Sequence, residues 1–211
     1  MSNKVLPSVS LESKQPIYKV EKDCLVSKNA DVTVAFRLEL PEIFTLSRED
    51  YAQLQAAFVK AVRLLPDHCV VHKQDWYVED KYAPGFEAER TLLSAAYERH
   101  FNERPFLNHF CYLYITKTSS ERPNWGSTSG LLARRHIVPK DMLDTKVLES
   151  FFDSVGQFVR TLEGVGPTNA PFIRSHRLTS DELAGTQEKA GLLEKYLSLD
   201  LSDQALQVDL D

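Results

Sequence analysis

The chain carries only three cysteines, Cys24, Cys69 and Cys111, far apart and without a CxxC pair. That spacing supplies neither a zinc knuckle nor a disulfide ladder. It fits a reducing compartment in which each thiol is a small buried hydrophobe. No 18 apolar residues run together, so no stretch reads as a membrane span. The N-terminal "MSNKVLPSVSLESKQP" lacks the apolar core of a signal peptide. A phosphate-binding loop of the form Gly-x4-Gly-Lys-Ser/Thr is also missing, since none of the eight glycines precedes a lysine. The formal net charge of −5 excludes an overall basic surface and leaves room only for a local basic patch. No internal repeat is visible. These absences predict a soluble, cytoplasmic protein.

What is present is an ordinary globular composition, 43% hydrophobic and 26% charged over 211 residues, enough to bury a core without covalent staples. "DVTVAFRLEL" alternates strictly, Val32, Val34, Phe36, Leu38 and Leu40 against Thr33, Ala35, Arg37 and Glu39, which predicts a half-buried strand. "SKNAD" before it favours a turn, pairing 17–26 with 31–40 as a hairpin closed by Pro41. Ser47 with Asp50 forms a capping box for a helix whose stripe is Tyr51, Leu54, Phe58, Ala61, Val62 and Leu65, stopped by Pro66. A strand over 68–78 follows. A helix over about 86–102 is expected to bury Phe86, Leu93, Ala96, Tyr97 and Phe101. "HFCYLYITKT", 109–118, is apolar and aromatic on both faces and predicts a central strand. After a long polar connection, 119–141, a helix over 143–164 carries a thick stripe from Leu148 to Leu162. "GVGPTNAP" breaks it, and Thr179 with Glu182 caps a more polar helix to about 197.

This order predicts an α+β fold: a largely antiparallel sheet, made of the N-terminal hairpin plus two further strands, with helices packed mainly on one face and a helical appendage behind. A doubly wound α/β sheet is the alternative. The expected organisation is a flexible arm over 1–15, an α+β core over 16–165, and a linker, helix and acidic tail over 166–211.

The densest set of chemical side chains is "HKQDWYVEDKY", 72–82. His68 and His72 have helical ligand spacing, but on a strand they stand roughly 13 Å apart. Asp75 has the opposite parity to His72, which points the two to different faces. His109 and Cys111 share a face but lack two further ligands at a recognisable spacing. No nucleophile elbow occurs, and the pattern buries Cys69 and Cys111, which makes a thiol inert. Neither a metal, a cofactor nor a catalytic residue is therefore expected. "WGSTSG", 125–130, offers amide and hydroxyl donors to an anion, or is simply a Gly/Ser loop. Trp125, Arg134 and Arg135 in "ERPNWGSTSGLLARRHIVPK" form a candidate stacking and phosphate-contacting set. A solvated loop or a protein contact are the competing readings. Trp76 and Tyr77, at the end of a sheet strand, are the other candidate interaction residues.

"SKNADVTVAFRLELPEIFTLS", "LPDHCVVHKQDWYVEDKY" and "FNERPFLNHFCYLYITKT" together resemble the N-terminal region of TraG-type conjugation ATPases encoded by conjugative transposons of Bacteroidetes. These are relatives of the large ATPases that energise type IV secretion. The resemblance spans about residues 4–197. It implies that the ATPase domain, with its Walker motifs, ATP and magnesium, lies beyond residue 211, that no catalytic residue maps onto this chain, and that the tail leads into that absent domain. It further implies a cytoplasmic protein peripheral at the inner membrane, an assembly and docking role in DNA transfer, and contacts with channel proteins or neighbouring ATPase subunits. It is compatible with a homo-oligomer of the full-length protein. The competing function is a nucleic-acid-contacting module built on the 119–141 loop.

Overall fold

A computed structural model describes residues 15–81, 93–94, 97, 100, 104–120, 139–167, 170–199 and 201–202. Its centre is one six-stranded, wholly antiparallel sheet of β1 (Ile17–Glu21), β2 (Cys24–Ser27), β3 (Val32–Glu39), β4 (Cys69–Lys81), β5 (Pro105–Lys117) and β6 (Arg174–Arg177). The order is β1-β2-β3-β5-β4, with β6 pairing β3. β3 thus has β5 along one edge. Its other edge is divided between β2, through Leu25↔Thr33 and Val26↔Val32, and β6, from Phe36↔Arg177 to Glu39↔Arg174. An antiparallel sheet with separate helices is the α+β fold that the order of elements predicts.

The alternation in β3 places two cores on the two faces. Val34, Phe36 and Leu38 join Cys111, Leu113 and Ile115 on one face. There they are covered by α1 (Arg48–Val62) and α3 (Thr145–Glu163), which contributes Phe151, Val155, Phe158 and Leu162. Ahead of α3 runs the single turn α2 (Lys140–Leu143). On the other face Ala35, fully buried, meets Leu25, Leu178, Leu183 and Leu192. This second core is closed by two short helices, α4 (Ser180–Ala184) and α5 (Leu192–Ser198). The long helices pack on one face, as expected. The C-terminal residues, expected as an appendage behind a boundary at 165, instead supply a strand and the cover of the opposite face.

Several expected elements change for local reasons. The stretch 17–26 is two strands, because Lys22 and Asp23 both take left-handed backbone (φ 51° and 59°) and close a two-residue hairpin. The capping boxes of Ser47 with Asp50 and Thr179 with Glu182 both form. However, α1 buries Ala57 and Ala61, while Tyr51, Phe58 and Val62 of the expected stripe are exposed. The small residues bring α1 close to the core, so the larger ones stand at the flanks, where Phe58 meets Phe158 edge-on at 6.3 Å. The expected single helix 179–197 stops at Gly185, whose φ of 89° ends α4 before α5 begins. Leu93 and Tyr97 have helical backbone but are 80% and 66% exposed, against the expected burial. They follow the end of β4, where the sheet has already run past both cores. Phe86, Ala96 and Phe101, residues 1–14 of the arm expected over 1–15, and 203–211 of the expected tail lie outside the described residues.

Candidate docking ribbon

β4 and β5 pair without interruption from Cys69↔Lys117 to Lys81↔Pro105, each strand 13 residues long. β3 accompanies β5 only as far as Leu38↔Cys111. Beyond that point the sheet continues as a two-stranded ribbon that carries no third strand among the described residues. Both strands exceed their expected lengths at this end, because Glu79, Asp80 and Lys81 extend the pairing without apolar alternation to announce it.

The ladder's parity follows from one bond: Thr118 donates its N–H to the His68 carbonyl at 2.9 Å. Antiparallel pairs alternate between hydrogen-bonded and open. The even residues of β4 therefore bond to β5, and Val71, Lys73, Asp75, Tyr77 and Glu79 turn their backbone groups outward. On β5 the odd residues face β3, which leaves Leu107 and His109 open where β3 departs. A cleft of about 470 Å³ occupies that departure, bounded by Leu38, Glu39, Glu42, Leu107 and His109.

Side chains follow the same parity. His72, Gln74 and Trp76 share a face with Tyr114, Tyr112 and Phe110, while Lys73, Asp75 and Tyr77 share the other with Leu113, Cys111 and His109. His72 and Asp75 are thus separated by the sheet. Half-buried Trp76 packs on Tyr112 (5.2 Å between centroids) and stacks on Tyr196 (6.4 Å), tying the ribbon to α5. Tyr77 is 65% exposed and stacks on His109 at 4.7 Å. Farther out Leu107 is 68% exposed.

On the Tyr77 face the structure assembles a group that the sequence does not place together. Lys73 Nζ donates to Asp75 Oδ1 at 2.6 Å, and the same oxygen lies 2.8 Å from His109 Nε2. The Lys73 ammonium and then the His109 hydrogen bond hold the Asp75 carboxyl below its ordinary range, against a smaller opposing effect of burial than that of Lys73. Beside them burial pushes the Cys111 thiol up to about 11, so it is protonated at neutral pH and a poor nucleophile. The group contains an oriented imidazole and an ion pair without an activated nucleophile. Its shared face is legible from strand parity, but Asp75 and His109 are 34 residues apart and only the register joins them.

Among the described residues no three His, Cys, Asp or Glu side chains come together to hold a metal ion. A second cleft, about 200 Å³, lies over the second core between Arg37, Tyr112, Asp181, Lys189 and Lys195. Its lining mixes both signs of charge. Trp125, Arg134 and Arg135, with the "WGSTSG" loop, lie outside the described residues. The near ends of that connection are tied, Ser119 Oγ and Ser120 N donating to Asp141 at 2.8 and 2.7 Å.

Residues 4–56, about a quarter of the chain, match the family described as "Domain of unknown function, B. Theta Gene description (DUF3875)". The matched stretch takes in β1, β2 and β3 and ends within α1. No curated protein matches the sequence.

Proposed function

We propose that this chain is a non-catalytic docking and assembly domain of a conjugative-transfer ATPase. On this reading it is cytoplasmic and peripheral at the inner membrane, with ATP and magnesium handled by a downstream domain. The observation that carries the docking role is the β4–β5 ribbon beyond β3, whose two edges are open among the described residues, with exposed Tyr77 and Leu107 beside them. Open edges take up extended segments through main-chain hydrogen bonds, and the neighbouring side chains select among them. The conjugation context rests on the resemblance carried by the three sequence motifs, which implies channel proteins and neighbouring ATPase subunits as partners. The non-catalytic role is supported by the separation of His72 from Asp75 and by the protonated, buried Cys111. A peripheral rather than spanning placement accords with the described helices, none of which is long and apolar enough to cross a membrane.

Two measurements test the reading. The purified chain, given ATP and magnesium, is expected to release phosphate no faster than a mock preparation, and release well above it overturns the non-catalytic assignment. In donor cells, Tyr77→Ala with Leu107→Ala in the full-length protein is expected to lower transfer frequency about tenfold or more at unchanged protein level. Unchanged transfer overturns the docking role.

A further inference from the structure

The outer edge of β4 is the longest edge left unpaired among the described residues. Soluble proteins guard such edges with charges that make sheet-to-sheet pairing unfavourable. β4 is well supplied with them: Lys73, Asp75, Glu79, Asp80 and Lys81. Their order, however, is self-complementary, and most fully about one point.

Two copies of β4 running antiparallel about a two-fold axis set the outward-turned, odd-numbered residues against one another, which restricts the allowed registers. An axis at Asp75 opposes that carboxylate to itself. An axis at Tyr77 opposes Asp75 to Glu79 and Lys73 to Lys81, like against like. An axis at Gln74 opposes Lys73 to Asp75, a carboxylate that already has Lys73 and His109 of its own sheet, so it gains no new partner. An axis at Val78 gains Asp75 against Lys81 but overlaps only the outer half of the strand. An axis at Trp76 opposes Lys73 to Glu79, a carboxylate with no other side-chain partner among the described residues, and sets His72 across from Asp80 within hydrogen-bonding reach. It overlaps from Val71 to Lys81 and brings the two indoles together on one face. Opposite charges and paired aromatics directly across a ladder are the stabilising combinations.

We infer that the β4 edge is a homotypic interface: two copies of this chain pair β4 antiparallel about Trp76 and join their six-stranded sheets into one. The inference stands on the edge and its charges and is independent of the conjugation reading; it gives the β4 edge to a second copy and leaves the β5 edge at Leu107 and His109 for the docking role proposed above.

Sedimentation equilibrium of the purified 24.0 kDa chain is expected to give twice that mass. Lys73→Glu and Glu79→Lys each put like charges across both symmetry-related pairs and are expected to weaken dimerisation about tenfold or more. Mixing the two single variants restores opposite charges at every pair and is expected to restore the dimer. A Gln74 axis predicts no effect of Glu79→Lys. Independently of any variant, exchange at the amides of Lys73, Asp75, Tyr77 and Glu79 in the unaltered chain is expected to slow as concentration rises. A monomer at the highest soluble concentration overturns the inference. So does a dimer that both variants leave intact, a mixture that stays monomeric, or exchange at these amides that ignores concentration.

Discussion

Gly185 and Gly191 meet backbone to backbone: a Cβ on Gly191 would stand 2.2 Å from the Gly185 nitrogen. The contact closes the loop between α4 and α5, and the Gly185↔Ala190 bridge continues it. No side-chain rearrangement relieves a clash with backbone. Gly191→Ala is therefore expected to destabilise the fold by about 2–3 kcal/mol. Gly156, inside α3, makes the contrast, because its nearest obstacle is the movable end of Arg160 at 3.7 Å. Gly156→Ala is expected to stabilise by about 0.5–1 kcal/mol. Urea unfolding of the two variants measures both.

Phe158, fully buried between α3 and the sheet, reports on the first core. Phe158→Ala is expected to cost about 3–5 kcal/mol. Tyr77→Ala, on the exposed ribbon, is expected to change stability by less than about 0.5 kcal/mol. A large loss at Tyr77 in the same unfolding experiment would assign that side chain to packing instead of contact.

Acid sensitivity follows from hydrogen-bonded carboxylates. Asp23 Oδ1 accepts from the backbone N–H of Ser180 at 2.7 Å, and this bond, then the Ser180 hydroxyl, holds its pKa below the ordinary value. Asp75 is held down by Lys73 and His109. A depressed folded pKa stabilises fully above the unfolded value, about 3.9 for aspartate, and the stabilisation disappears as pH falls through the folded pKa. Denaturant midpoints are expected to hold steady with respect to these groups from pH 7 to about 5 and to drop below about 4. Asp23→Asn, which keeps an acceptor for Ser180 but cannot titrate, is expected to make the acid-side decline shallower.

The three thiols are expected to react in order of access. Cys24 and Cys111 are buried, while Cys69 is half-buried at the start of β4. Burial raises all three thiol pKa values, Cys111 to about 11. Mass spectrometry after alkylation of the native chain is expected to find Cys69 modified first, with Cys24 and Cys111 labelled only on unfolding.

The legible parts of this fold are those whose signal is local. β3 is readable because its alternation coincides with two buried faces, and the starts of α1 and α4 because a hydroxyl and a carboxylate three residues apart satisfy the exposed N–H groups of a first turn. The turn at Lys22 and Asp23 is hidden, since neither residue is the glycine that left-handed backbone usually takes. β6 is hidden more deeply. "RSHR" has no apolar residue, and it is positioned by partners far away: the edge of β3, and Glu163, which accepts from Ser175 N and Oγ at 2.9 and 2.7 Å. The candidate site divides in the same way. Parity separates His72 from Asp75 on the sequence alone, whereas the meeting of Asp75 with His109 needs the register between β4 and β5.

The edge of β3 shared by β2 and β6 sets the timing of folding during synthesis. β2 reaches β3 within a few residues of chain, but the strand that completes the edge over Phe36–Glu39 emerges only after β4, β5 and α3 have been made. Leu178, Leu183 and Leu192, which cover Ala35, arrive later still. The nascent chain can therefore assemble its first core while the opposite face of its central strand stays bare. Pairings this distant in sequence close slowly and leave apolar surface exposed in the interval. Synthesis in this order is expected to leave the sheet covered on one face before the other, the arrangement a chaperone would recognise.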